Sequence, residues 1–428
     1  MLDAQLLRKE PEKIKAGIAK KNADPDLVDE FLTADEIWRK ATLNLEDLRA
    51  KQKKAASEKN IEEGKRLKGE LKELEEKANF AEEKRNTAWV KIPNPPLDWV
   101  ISGKSEADNS TLREAGKKPD FSFPPADYVV LAEKLGLVDN ERAAKVSGSR
   151  FAYLLGDMVR LEFALGQFLF ETISDKKILA EIAKKAGITV SDKPFIPVIP
   201  PVLIKKESMS AMGYMERGGE EIYRTAQDDL YLVGTSEQSI GPMHSGEILE
   251  AKDLPLRYVG FSTCFRREAG SYGKDTKGIL RVHQFNKFEM FSFTLPETSN
   301  DEHKFLLAIE EYLMSALEIP YRVLNICSAD LGDPAAAKYD IEAWLPGQNG
   351  GKGEYRETHS TSNTTDFQAR RLNIRYKTPD GPKFLHMLNG TAFSERPLIA
   401  IIENFQTKES KIKIPKVLQK YLGKEEIE

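Results

Sequence analysis

The stretch Cys264-Phe265-Arg266-Arg267-Glu268-Ala269-Gly270-Ser271-Tyr272-Gly273, followed by Arg281-Val282-His283-Gln284-Phe285-Asn286-Lys287-Phe288-Glu289, gathers the side chains best suited to chemistry. Arg266 and Arg281 can hold phosphate oxygens, because a guanidinium matches their geometry. Phe285 can offer an aromatic face to a base. Glu268 can accept hydrogen bonds from an exocyclic amine, and Glu289 from an ammonium group. The order of residues reads as a strand, a mobile glycine-rich loop and a returning strand. The same residues also suit a hairpin with surface ion pairs, and spacing alone does not separate the two readings. His283 is expected to hydrogen-bond structurally rather than to move protons, and Cys264 to pack within its strand.

Such groups need elements to hold them. Beyond Arg150, strand-like runs alternate with helical ones. Phe288-Glu289-Met290-Phe291-Ser292-Phe293 alternates as a half-buried strand should, and Tyr321-Arg322-Val323-Leu324-Asn325-Ile326 is a second strand candidate. No glycine-rich loop ends in Gly-Lys-Ser/Thr, and no dinucleotide fingerprint follows a strand. A nucleotide, if used, must sit on another scaffold.

Composition changes near residue 92. Before it, Phe31, Ala34, Trp38, Ala41, Leu45, Leu48, Gln52 and Ala55 recur at alternating steps of three and four. Leu67, Leu71, Leu74, Ala78, Ala81, Arg85 and Ala88 form a second series. Each draws a stripe along one side of a helix. The polar stretch Ser57-Glu58-Lys59-Asn60 between them is short enough to reverse the chain, so the pattern predicts a long antiparallel helical hairpin. The prolines of Ile92-Pro93-Asn94-Pro95-Pro96 end it. A loop-rich segment is expected to follow, to about Pro125.

The 428 residues favour two or three domains, and 40% apolar with 31% charged residues fits a globular chain. No apolar run approaches the roughly 20 residues of a membrane helix. The N-terminus lacks a secretory pattern, and two distant cysteines with five unclustered histidines build no Cys-based zinc site. The expectation is a reduced, cytoplasmic protein with no membrane partner. A net charge of −4 does not announce a nucleic-acid partner, so RNA binding would need locally concentrated positive charge. Arg49, Lys51, Lys53, Lys54 and Lys59 crowd the hairpin turn, but Glu58, Glu62 and Glu63 are interspersed. On charge alone this is a solvated coiled-coil surface.

The ordered motifs carry a family resemblance. Phe265 to Gly273 with Arg281-Val282-His283-Gln284-Phe285 resembles motif 2 of the class II aminoacyl-tRNA synthetases in its seryl form. Val146-Ser147-Gly148-Ser149-Arg150-Phe151 with Arg160-Leu161-Glu162 resembles the entry to that family's catalytic domain. Ile199-Pro200-Pro201 resembles motif 1, the dimer-forming motif. Gly234-Thr235-Ser236-Glu237 resembles the serine-binding loop. Tyr355-Arg356-Glu357 through Asp366-Phe367-Gln368-Ala369-Arg370-Arg371 resembles the metal- and ATP-binding strand. Leu388-Asn389-Gly390-Thr391, Arg396 and Ile402-Glu403-Asn404-Phe405-Gln406 resemble motif 3. With the hairpin, the resemblance spans almost the whole chain.

The resemblance implies an α+β fold: an N-terminal antiparallel helical hairpin over residues 1–105 that binds tRNA, and a catalytic domain over 106–428 with a mostly antiparallel sheet flanked by helices. It implies a homodimer that activates L-serine with ATP and Mg²⁺ and charges tRNA(Ser), with tRNA(Sec) a further candidate. Thr235, Ser236, Glu237, Arg266, Glu289, Asn389 and Thr391 would bind serine. Arg266, Arg267, Glu268, Val282, Phe285, Glu357, Thr358, His359, Ser360 and Arg396 would bind ATP, with Arg266, Glu268 and Arg396 catalytic. Glu357 and Ser360 would hold the metal. A regular strand places i and i+3 on opposite faces, so that pair needs a bulge. The basic hairpin turn becomes a tRNA-gripping arm.

Three departures from the family pattern stand out. His359-Ser360 replaces a Ser-Ser pair, and the histidine is expected to alter ATP or metal geometry. The interval from Asn389 to Arg396 is short, which leaves the position of Arg396 for the structure to decide. Ile173 to Ile178 looks like a small surface excursion. A related ligase that loads a carrier protein is disfavoured by the intact hairpin. A non-enzymatic RNA-binding paralogue is disfavoured by the retained Arg266, Glu268, Glu289, Glu357, Ser360 and Arg396. A threonine enzyme of this class would use a zinc site, for which no Cys/His set exists here.

Overall fold

The computed structural model describes residues 1–216, 219–270 and 277–428. Ser271, Tyr272 and Gly273, and with them the centre of the expected mobile loop, lie outside the described residues. The chain divides into two units, Met1–Pro96 and Leu97–Glu428.

In the first unit, α1 (Ala4–Lys9) and α2 (Pro11–Ala19) precede the long α3 (Asp26–Ser57) and α4 (Ile61–Val90). The chain reverses over Glu58 to Asn60, where the periodicity predicted. Lys59 takes a left-handed φ of 56°, and the Asn60 side chain accepts from the Glu63 amide to cap α4. Leu45, Leu48, Ala55, Leu67, Leu71 and Ala78 fill the seam. The base of the hairpin is held differently. Asp35 is buried and accepts from Arg8 (2.7 Å) and from Arg85 (2.8 Å). The Arg85 guanidinium lies 4.3 Å from the ring centroids of both Trp38 and Trp89. Trp38 thus meets the seam through a cation.

The second unit is built on an eight-stranded sheet. Its strands in chain order are β1 (Ser110–Ala115), β2 (Ile196–Val198), β3 (Leu256–Phe265), β4 (Gln284–Thr294), β5 (Tyr321–Asn325), β6 (Ala337–Leu345), β7 (Glu354–Asn363) and β8 (His386–Ser394). Their spatial order is β1-β5-β6-β7-β8-β4-β3-β2. Every pairing is antiparallel except β2 on β3. Helices α5 (Asp157–Ser174), α6 (Ser299–Ala316) and α7 (Arg396–Asn404) share one core with Phe288, Met290, Val323, Ile341 and Leu388 of the sheet. The opposite face of the central strands is left for a site.

The structure refines four expectations. The compact units meet at Pro96, in the proline stretch that ends the hairpin, and Leu97 and Val100 already pack with Leu324, Ile326 and Leu331. The stretch to Pro125 is not all loop: β1 is an edge strand whose largely exposed side chains carry no apolar alternation to betray it. The strand through Phe288 to Phe293 is buried on both faces, since it lies between β8 and β3 and polar residues face an enclosed site. The segment from Ile173 to Ile178 is exposed from Ser174 to Lys177, but it is anchored. Ile173 is fully buried, and Asp175 caps the helix Lys176–Lys185.

Candidate active site

Alternate residues of β4 point Lys287 and Glu289 away from the helical core, and those of β8 point Asn389 and Thr391 the same way. Across the ladder β7 contributes Glu357, Ser360 and Ser362, and β6 contributes Lys338. Together with Thr235, Glu237, Arg266, Glu268, Val282, Phe285, Thr358 and Arg396 they line a cavity of about 710 Å³. Residues drawn from positions 214 to 396 therefore meet in one place.

The cavity has an acidic end. Glu237 and Glu289 are both buried. The Tyr214 hydroxyl donates to Glu237 Oε1 at 2.5 Å. The Lys287 ammonium lies 2.5 Å from Glu289 and donates to the Thr235 hydroxyl at 3.3 Å. Burial, reinforced by the neighbouring Glu289 charge, pushes the Glu237 carboxyl up to about 7. Burial also raises Glu289, against the pull of Lys287 and Arg266. One lysine between two buried acids leaves an unmet demand for positive charge. Gly260, paired with Glu289 on β3, makes room for the serine-loop segment: a Cβ there would meet the Ser236 hydroxyl at 2.6 Å.

The other end is cationic. The Arg266 guanidinium sits 5.2 Å from the Phe285 ring centroid, and its Nε donates to the Gly234 carbonyl at 3.2 Å. Arg281 pairs with Glu268 at 2.8 Å. Arg396 donates to the Glu357 carbonyl at 2.9 Å and lies 3.3 Å from its carboxylate. The short interval before Arg396 therefore still delivers it to the cavity. Burial alone would raise the Glu357 carboxyl, but Arg396, Lys338 and Arg266 together outweigh it and hold the group at about 2. Lys338 also lies 3.0 Å from Asp340 Oδ2. Asp340 Oδ1 is buried without a hydrogen bond of standard geometry.

The bulge needed by Glu357 and Ser360 is present. Ile341 faces His359 and Glu342 faces Glu357, so Thr358 is the extra residue. It returns Glu357 and Ser360 to one face of β7. The same bulge sends the His359 side chain the other way. His359 is buried against the sheet's rear, bonded to the Thr358 hydroxyl (2.8 Å) and to the Ala392 carbonyl (3.0 Å). Ala392 is itself the extra residue of a bulge in β8. His359 thus ties two bulges together, and burial keeps it neutral, its pKa near about 3. Its side chain therefore does not line the cavity, whereas those of its neighbours Thr358 and Ser360 do.

Two further site residues lie elsewhere than expected. The Ser236 side chain is fully buried against the Gly260 carbonyl and anchors the loop rather than lining the cavity. Arg267 is exposed and does not line the cavity; its amide donates to the Glu221 carbonyl at 2.9 Å. His283 bonds the Arg266 carbonyl at 3.0 Å, and Cys264 is packed in β3, as expected. Tyr214, Lys287, Lys338 and Glu395 line the cavity and were missed. Lys287 and Lys338 carried a sequence signal, each standing two residues before an acid, Glu289 and Asp340, on a strand.

The basic residues of the hairpin turn are exposed. Arg49 pairs with Glu75 at 2.8 Å, and Lys54 stands 4.0 Å from Glu58. No helix among the described residues is long and apolar enough to cross a membrane.

Comparison with known proteins gives this geometry a family. Residues 1–96 match the seryl-tRNA synthetase N-terminal domain, and residues 221–405 match the tRNA synthetase class II core domain (G, H, P, S and T). The chain is 45% identical to a serine--tRNA ligase of Acidothermus cellulolyticus, over 99% of this chain and 98% of that one. The crystal structure of seryl-tRNA synthetase from Pyrococcus horikoshii complexed with ATP superposes with a TM-score of 0.87 at 39% identity, covering 100% of this chain and 99% of that one. The cytoplasmic serine-tRNA ligase of Naegleria fowleri in complex with AMP gives a TM-score of 0.84 at 34% identity, covering 100% and 99%. By motifs, fold and full-length likeness, the chain belongs to the seryl-tRNA synthetase family.

Proposed function

We propose that this chain activates L-serine with ATP to seryl-adenylate and transfers the seryl group to tRNA(Ser), with tRNA(Sec) a further candidate acceptor. One observation carries the reading: a single cavity sets two under-compensated acids beside a row of cations. The acids suit an amino acid's ammonium and hydroxyl, and the cations suit a carboxylate meeting a triphosphate.

In the first step a serine carboxylate oxygen attacks the α-phosphorus and pyrophosphate leaves. Glu237, Glu289, Thr235, Asn389 and Thr391 hold the ammonium and hydroxyl. Arg266 bridges the attacking carboxylate and the α-phosphate, Phe285 and Glu268 take the adenine, and Arg396 takes the distal phosphates. The catalysis is positioning and charge neutralisation, with no covalent protein nucleophile. In the second step a terminal ribose hydroxyl of the tRNA attacks the acyl carbon and AMP leaves. A site that hydrogen-bonds the hydroxyl rejects alanine by leaving polar groups unpaired, and a tight pocket rejects threonine by its methyl.

Mg²⁺ fits Glu357 and Ser360, which share a face of β7. Among the described residues no cluster of three or more His, Cys, Asp or Glu forms a metal cage, and a two-ligand site completed by substrate phosphates is what Mg²⁺ favours. When bound, it neutralises phosphate charge. A homodimer is supported by exposed apolar side chains in and around the motif 1 segment: Ile196, Ile199 and Leu203. A tRNA-gripping role for residues 1–105, with 106–428 catalytic, is supported by the exposed Arg49, Lys51, Lys53, Lys54 and Lys59. The cytoplasm supplies all these substrates.

The test is serine-dependent ATP–pyrophosphate exchange, with alanine and threonine as controls. Exchange with serine alone is expected, falling by roughly 10²–10³-fold or more in Arg266→Ala. Exchange with none of the three amino acids would overturn the reading. Deleting residues 52–67 is expected to spare this exchange and cripple tRNA charging; equal loss of both would count against the hairpin's role.

A further inference from the structure

The proposed metal ligand Ser360 raises a question of proton placement. A serine hydroxyl has one proton and two lone pairs. If the oxygen is to face a cation, the proton must be taken by an acceptor on another side. In the β6/β7 ladder Ser360 stands directly opposite Asp340, and Glu357 opposite Glu342. Lys338, Asp340 and Glu342 share one face of β6 by the period of two, so Asp340 lies beside both proposed ligands. Its Oδ2 is anchored by Lys338 at 3.0 Å. Its Oδ1 is buried without a hydrogen bond of standard geometry, and the Ser360 hydroxyl is the side chain placed to supply one. A buried orphan acceptor costs about 1–3 kcal/mol.

We propose that the Asp340 carboxylate, pinned at Oδ2 by Lys338, accepts a hydrogen bond from the Ser360 hydroxyl at Oδ1 and so turns a Ser360 lone pair toward the phosphate-bound cation. Asp340 is then a positioning residue that acts through Ser360, not a ligand. The inference rests on the reading that Mg²⁺ sits at Glu357 and Ser360. Outer partners of this kind set the orientation of a metal ligand, and their loss typically costs about 10–100-fold in metal affinity. An amide does not replace the carboxylate here. Lys338 would claim the oxygen of an asparagine, and the remaining NH₂ would donate into the Ser360 lone pair that the cation needs.

The test is the ratio of ATP dissociation constants measured in EDTA and in Mn²⁺, by calorimetry on the full chain without serine. This ratio reports the metal's contribution alone. It is expected to fall roughly 10–100-fold in Asp340→Ala, Asp340→Asn and Ser360→Ala, and no further in the Asp340→Ala/Ser360→Ala double variant. In the Asp340 single variants, affinity for ATP in EDTA should stay near wild type, which separates positioning from misfolding. Asp340→Asn, which keeps volume, guards against collapse of the alanine variant. A wild-type ratio in Asp340→Asn, or losses that add in the double variant, would overturn the inference while leaving the metal site intact. If Glu357→Gln and Ser360→Ala also leave the ratio unchanged, the metal reading itself fails and takes this inference with it.

Discussion

Asp35 at the base of the hairpin and Glu237 in the cavity are both carboxylates almost wholly withdrawn from water. Burial alone would raise each. Asp35 is met by three guanidiniums: Arg8 and Arg85 hydrogen-bond it, outweigh burial and hold it below the usual carboxylate range, and Arg39 stands 3.2 Å away. Glu237 meets a tyrosine and a second acid, and it rises to about 7. The same chemical group is saturated in one place and left short in the other. Saturation makes a rigid joint. Shortage stores a demand for positive charge that a substrate ammonium can satisfy, at a cost to stability.

Substitutions can break this contrast from either side. The largest stability effect is expected at the joint. Asp35→Ala leaves Arg85 buried between Trp38 and Trp89 without its partner, a loss of about 3–5 kcal/mol. Hydrogen exchange should show early opening of α3 and α4, while serine-dependent exchange persists. Unchanged protection there would refute the saturated-joint account.

Glu237→Gln is expected to do the reverse. Loss of a charged acceptor for serine should lower kcat/KM for serine by about 1–3 kcal/mol, or roughly 5- to 150-fold, without destabilising the fold. The pH dependence sharpens it. The ionised carboxyl accepts from serine and is lost below about 7, so the wild-type KM for serine should climb as pH falls through that value. In Glu237→Gln the climb should be absent; a parallel profile would assign the titration elsewhere.

A third effect, confined to alkaline solution, concerns Glu310 on α6. Both its carboxyl oxygens are buried without a partner among the described residues, and burial, then Glu289 and Asp340, raise its pKa well above the ordinary value. The folded state therefore binds this proton more tightly than the unfolded chain. Its contribution to stability is complete below the unfolded carboxyl pKa and is lost as pH rises. Glu310→Met carries no proton, so its advantage over wild type should widen with pH, to about 1–3 kcal/mol in alkaline solution. Thermal unfolding across pH measures it, and a constant difference would rule out the titration.

The sequence made the hairpin legible almost to the residue, because a helix stripe and a polar turn are local patterns. It also marked the charged residues Glu237, Arg266, Glu268, Glu289, Glu357 and Arg396 of the cavity, because their motifs are short and ordered. Asp35 escaped notice, since a charged residue within an apolar stripe looks like solvent-facing surface until Arg8 and Arg85 converge on it. Tyr214 escaped because it lies 23 residues along the chain from the Glu237 it serves, and Lys338 because nothing local shows that its strand faces the cavity.

Sequence by itself determined which elements form and which residue types are available for serine, phosphate and metal. Only the tertiary structure decided which way those residues point. One extra residue at Thr358 puts Glu357 and Ser360 on a common face and turns His359 to the rear, while Gly260 lets the Ser236 loop close over β3. Bulges and close approaches are set by pairing with strands distant in sequence. No local spacing encodes them, and the chemistry of the cavity follows from them.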